Sequence, residues 1–140
     1  MSDRFRLTLA QLNPTVGAID DNIAASRPAW AEAKAADADM LAMTEMFVIG
    51  YQPQDIVKKS AFTAHAMRAV EALAAECADG PAIGIGAPFQ DGPDLYNAYW
   101  ILSGGRVQAR ILKHELPNYT VFDEKRLYRS GEVSGPYRIG

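Results

Sequence analysis

Apolar and polar positions alternate over residues 5–12: Phe5, Leu7 and Leu9 fall on one face, Arg6, Thr8 and Ala10 on the other. That period of two predicts a strand, and Asn13-Pro14 ends it with turn chemistry. Asp20 and Asp21 then offer N-caps for a helix running to about Asp37, with Ile23, Arg27, Trp30 and Lys34 along one side. Pro28 interrupts this segment. It removes a backbone bond and crowds the preceding turn, so the expectation is a kink, or a late start capped by Ser26 or Arg27. Residues 40–43 form a short apolar run that reads as a buried strand, and residues 44–55, with Gly50 and Pro53, read as a loop. Phe62, Ala66, Val70, Leu73 and Cys77 recur at helical spacing until Gly80-Pro81. Residues 82–87 predict another buried strand, and residues 95–102 and 106–112 a hairpin about Ser103-Gly104-Gly105. Residues 116–135 are aperiodic and dense in aromatic and charged side chains, long for a loop without a task. Residues 137–140 read as the opening of one more strand.

Helices between short apolar strands, followed by a hairpin, predict an α/β layered architecture. The sequence stops as its last strand opens, so the expectation is a domain that is incomplete over residues 1–140. Composition narrows the partners. Lys plus Arg number 14 against 17 Asp plus Glu, a net charge of −3, which argues against a nucleic-acid footprint. The apolar runs fall well short of the roughly 20 residues that cross a bilayer, and the first residues carry no apolar signal-peptide core. A single cysteine, Cys77, excludes an internal disulfide or a cysteine zinc cluster and fits a cytoplasmic protein.

Two charged residues stand where strands end. Glu45 follows the run 40–43 and opens a Gly/Pro-containing loop, the place where open α/β sheets carry ligand-binding groups. Lys113 ends the strand 106–112 and precedes His114-Glu115-Leu116-Pro117. A lysine there can stabilise an oxyanion, or discourage edge-to-edge aggregation. Position alone leaves both residues readable as solvated loop charges. Cys77 shares a stripe with Phe62, Val70 and Leu73 in an acidic local sequence, the setting of an inert core thiol. His65 and His114 have no partner at ligand spacing, so no metal site is expected. Gly84-Ile85-Gly86 is too short a fragment for a dinucleotide fingerprint. Trp30, Tyr96, Tyr99 and Trp100 read as packing residues.

Larger motifs join these pieces. Thr44-Glu45-Met46-Phe47-Val48-Ile49-Gly50-Tyr51-Gln52-Pro53-Gln54-Asp55 resembles the glutamate loop of the nitrilase, or carbon–nitrogen hydrolase, superfamily. Leu112-Lys113-His114-Glu115-Leu116-Pro117-Asn118-Tyr119, continued by Val121-Phe122-Asp123-Glu124-Lys125-Arg126, resembles its lysine loop in the form typical of glutamine-dependent NAD⁺ synthetases. Thr44 replaces a common Pro and Gln54 a common Glu. The resemblance implies the first part of an α-β-β-α sandwich in which Glu45 is the general base, Lys113 holds the oxyanion and Glu124 steadies the lysine. It implies, further, that Tyr51 and Tyr119 line a pocket for glutamine. The family's nucleophilic cysteine lies on a strand beyond Ile139, and Cys77 does not match it. The resemblance therefore implies a glutaminase portion whose nucleophile and synthetase domain are absent from this chain, with ATP and Mg²⁺ belonging to that further domain; half a sandwich leaves sheet faces uncovered, and a homo-oligomer is expected from that. Another nitrilase-type amidase, or a short non-enzymatic relic that keeps the first half of the fold, stand as the competing readings.

Overall fold

In the computed structural model of the chain, which describes residues 3–132 and 135–138, strands β1 (Leu7–Leu9), β2 (Met40–Ala42) and β3 (Ala82–Asp91) pair in parallel. Helix α1 (Ile19–Ala35) connects β1 to β2, and α2 (Ser60–Glu76) connects β2 to β3. Strands β4 (Asp94–Ser103) and β5 (Arg106–Leu112) then return antiparallel, giving one sheet in the order β1-β2-β3-β4-β5. A last turn of helix, α3 (Glu124–Leu127), lies in the aperiodic stretch. The two long helices pack on each other, α1 against β2 and α2 against β3 and β5. The core is built on Leu41, Ile83, Ile85, Trp100 and Leu102 from the sheet and Val70 and Leu73 from α2.

Several sequence expectations need correction. The first strand is three residues long, and its apolar face is open: Phe5, Leu7 and Leu9 are 68, 47 and 68% exposed. β1 is an edge strand, and alternation in sequence does not say whether a layer covers the apolar side. α1 starts at Ile19 behind an Ala18 cap without a side-chain bond, so Asp20 and Asp21 sit inside its first turn. There they complement the helix dipole instead of capping it. The late start also fails, because Pro28 lies inside the helix and Ser26 is buried with its hydroxyl donating to the Ile23 carbonyl at 2.5 Å. The buried stripe of α1 runs through Ile19, Asn22, Ile23, Ser26 and Ala33. Arg27 faces outward to Glu76 at 2.9 Å, and Lys34 lies over the Trp30 ring. β3 continues past Ala87 to Asp91 because pairing with β4 carries it through Pro88, which stands opposite Asn97. Of the strand expected at 137–140, residues 137 and 138 are outside any strand and the other two lie outside the described residues.

The loop after β2 is buried, unlike most loops. Met46, Phe47, Val48 and Ile49 have no exposed surface. Two devices hold this apolar turn. Asn22 donates through one amide nitrogen to the carbonyls of Thr15 and Val48 and accepts from the Thr15 N–H, so α1 clamps the loop. Gly86 is the seat on which the loop crosses β3: its N–H donates to Thr44 and its carbonyl accepts from Val48. A Cβ at Gly86 would stand 2.2 Å from the Met46 nitrogen and 2.7 Å from the Glu45 carbonyl carbon. Both are backbone atoms and cannot swing away. Gly86→Ala is therefore expected to cost about 3 kcal/mol, whereas Gly92→Ala, in open space at φ +57°, costs about 1 kcal/mol from backbone strain alone. Thermal or urea denaturation of the two variants checks the ranking.

Candidate active site

Glu45, Lys113 and Glu124 come from three separate parts of the chain and meet at the ends of β2 and β5. Glu45 follows β2 by way of Met43, whose N–H donates to the Gly84 carbonyl and whose carbonyl accepts from the Tyr99 hydroxyl. Lys113 extends β5 by one residue: its N–H donates to the Asn97 carbonyl at 2.8 Å, and its carbonyl accepts from Gly131 at 2.9 Å. Glu124 opens α3, its N–H donating to Pro117, and is only 3% exposed. The Lys113 ammonium stands 2.6 Å from Glu45 Oε1 and 3.1 Å from each oxygen of Glu124. The contact to Glu45 is a short charge-assisted hydrogen bond; at Glu124 the lysine donates to Oε1, while the buried Oε2 has no hydrogen-bond partner among the described residues.

The lysine reports the balance of forces on it. Burial pulls its ammonium down, but hydrogen bonds and charge from Glu45 and Glu124 outweigh this, and its pKa lies above the usual lysine value. Tyr51 donates its hydroxyl to Glu124 Oε1 at 3.0 Å, and burial together with that carboxylate pushes its pKa up. Tyr128 is buried beside α3 with a hydroxyl that has no partner among the described residues, and burial followed by the charge of Glu124 pushes it higher still.

Two cavities adjoin the triad. One of about 330 Å³ is lined by Glu45, Asn97, Ala98, Tyr99, Ile111 and Lys113. The other, of about 230 Å³, has Tyr51, Gln52, Glu124, Arg126 and Tyr128 in its wall. Lys113 faces the first and its partner Glu124 the second, so one ion pair forms part of the partition. Of the five residues singled out in the sequence, Glu45, Lys113, Glu124 and Tyr51 are thus brought together. Tyr119 stands apart from both linings; it is 65% exposed and packs edge-on against Phe122 at 5.6 Å. Cys77 caps α2, buried, with its thiol pushed up by burial and then by Glu76. His65 pairs with Asp20 at 2.9 Å, and His114 bonds the Gly131 carbonyl. No group of three His, Cys, Asp or Glu able to hold a metal is present among the described residues, and no helix there is long and apolar enough to cross a membrane.

Sequence reasoning missed Asn97. Its side chain is 3% exposed and donates to Glu45 Oε1 at 2.7 Å. The available signal was an amide, a residue depleted in strands, within the otherwise apolar run of β4. Gly86 and Asn22, which seat the glutamate loop, had no motif to mark them.

No family model matches the chain. It is 56% identical over all 140 residues to the glutamine-dependent NAD(+) synthetase of Rhodobacter capsulatus, of which it covers 25%. The solved glutamine-dependent NAD⁺ synthetase of Acinetobacter baumannii superposes with a TM-score of 0.86 at 32% identity, over 92% of this chain and 24% of that one. A Nesterenkonia amidase of the nitrilase superfamily superposes with a TM-score of 0.79 at 23% identity, over 94% of this chain and 50% of that one, a likeness of fold. The chain thus spans about a quarter of the length of the curated relatives it matches.

The raised value of Lys113 carries a pH signature. Its contribution to stability is fully present below the ordinary lysine value of about 10.4, and is lost as pH rises through the higher folded value. Glu124→Gln removes one of the two carboxylates that raise it. The midpoint of the Lys113 ammonium, followed by side-chain ¹⁵N NMR, is expected to fall toward the ordinary value in that variant. An unmoved midpoint would count against the bridging role of Glu124.

Proposed function

Because the chain is a homologue, along its whole length, of one stretch of the glutamine-dependent NAD(+) synthetases and carries the nitrilase-superfamily fold, we propose that it supplies the glutamate and lysine of a glutamine-hydrolysing site. The observation that carries this reading is the 2.6 Å contact between Glu45 and Lys113 at the wall of an open cavity. In this reading Glu45 takes the proton of a cysteine thiol, and the thiolate attacks the side-chain amide carbon of glutamine. Lys113, with a backbone N–H, holds the oxyanion. The proton passes from Glu45 to the leaving nitrogen, ammonia departs, and water activated by the same carboxylate cleaves the thioester to glutamate. Glu124 keeps Lys113 charged and in place, and Tyr51 anchors Glu124 from the neighbouring cavity.

The buried, raised thiol of Cys77 is unsuited to attack. The proposed nucleophile therefore belongs to a segment outside these 140 residues. So does the portion that uses the ammonia, with ATP and Mg²⁺, to amidate deamido-NAD. The exposed apolar strip of Phe5, Leu7 and Leu9 supports a covering layer supplied by further chain or by a second copy.

Two measurements test this. Purified alone, the 140-residue chain is expected to release no ammonia from glutamine above the buffer rate, and Cys77→Ala changes nothing. Vigorous hydrolysis by the isolated chain would overturn the assignment of the nucleophile. In a longer gene product that contains this stretch, Glu45→Gln or Lys113→Ala is expected to lower glutamine-supported NAD formation at least about 100-fold, while ammonia-supported formation persists. Equal loss with both nitrogen sources would place the two residues outside the glutamine reaction.

A further inference from the structure

We propose that Asn97 is a positioning residue that decides which oxygen of Glu45 accepts the proton. The inference rests on the reading of Glu45 as the base. Its starting point is an asymmetry in the carboxylate. Oε1 receives both available donors, the Asn97 amide at 2.7 Å and the Lys113 ammonium at 2.6 Å. Oε2 has no hydrogen-bond partner among the described residues. The amide group of Asn97 has only one way to face a carboxylate, nitrogen first, because the carboxylate oxygens only accept. The bond direction is thus fixed by chemistry.

An oxygen that already accepts two strong bonds has little lone-pair density left for a further proton. The other oxygen retains its basicity. The Glu45 side chain is 45% exposed at the cavity wall, so the free oxygen is accessible to a reacting group. Without the amide, the carboxylate is free to turn about its terminal torsion and offer both oxygens to the ammonium. Lys113 would then neutralise the base it needs to leave active. Asn97 prevents this turn while serving Lys113 through its main chain, where its carbonyl accepts the Lys113 N–H. Burial in β4, paired to β3 on one side and β5 on the other, gives the amide a fixed origin. Aspartate at this position would set a like charge against Glu45, and a leucine would leave Oε1 with the lysine alone.

The test reads the bond directly and then its consequence. In the unmodified chain, the Asn97 side-chain amide protons are expected to shift in NMR spectra with the protonation of Glu45, and this response disappears in Glu45→Gln. Asn97→Ala keeps the backbone bond to Lys113. It is expected to release the Glu45 carboxylate, so that a crystal structure of the variant shows both carboxylate oxygens turned to the Lys113 ammonium. In a glutamine-hydrolysing gene product carrying the stretch, Asn97→Ala lowers kcat about tenfold with KM unchanged. Amide protons indifferent to Glu45, or a Glu45 carboxylate that keeps one oxygen alone on Lys113 in a folded Asn97→Ala chain, overturn the proposal. The amide-proton reading needs no Asn97 variant, so a variant that fails to fold does not remove the test. If the NMR responses occur but Glu45→Gln spares glutamine-supported turnover, the positioning of Glu45 survives and the hydrolytic reading fails.

Discussion

One ammonium between two carboxylates holds this molecule's chemistry together. Glu124 is nearly inaccessible to water, and a buried carboxylate without a compensating charge is among the more costly features a fold can contain. Lys113 supplies that charge, and in doing so ties α3 to the end of β5. The same nitrogen reaches Glu45 at the end of β2, 68 residues earlier in the chain. Ion pairs of long side chains do not by themselves fix geometry, because ordering them costs rotamer entropy. The geometry comes from the main chain. β5 delivers Lys113 through its bond to Asn97, the segment at Gly131 closes over its carbonyl, and Gly86 lets the glutamate loop lie directly on β3.

The two-to-one ratio of carboxylates to cation has a chemical consequence. A lysine paired to a single glutamate would lose its counter-ion whenever that glutamate took up a proton. Here Glu124 remains as counter-ion, bonded also to Tyr51. In the proposed reaction, proton uptake by Glu45 would leave Lys113 its second counter-ion. A cation proposed to meet a developing oxyanion benefits from this, since a donor already in place costs no reorganisation when the charge forms.

Much of this was legible in the sequence. The alternation of helices and short apolar runs specified the α/β class, and the strand-end positions of Glu45 and Lys113 were visible as charges directly after apolar runs. That Glu45 and Lys113 meet was not deducible from period or composition. It depends on β3 and β4 lying between their strands, a tertiary fact. The exposure of the apolar face of β1 was not legible, because covering layers are not encoded locally. Pro28 did not delay the helix, because a single lost helical bond is offset when the flanking turns are buried, as they are at Ile23, Ser26 and Ala33. Met46 to Ile49 read as loop and are loop, yet they form part of the core. Burial of backbone is possible there because Asn22 and Gly86 satisfy its polar groups.

The position of Cys77 sharpens the functional argument. A thiol becomes a nucleophile when a base or positive field favours its thiolate. Cys77 has the opposite surroundings: burial and the Glu76 carboxylate hold it protonated, and Arg27 offsets them only in part. The groups able to activate a thiol are instead gathered at Glu45 and Lys113, at the wall of a cavity in which Cys77 takes no part. A folded chain that holds Glu45, Lys113 and Glu124 at contact distance keeps charges together that have no packing purpose. Packing alone would be served as well by apolar residues of the same volume. Their joint presence is what the proposed hydrolytic reading, with a reacting sulfur brought to them, accounts for.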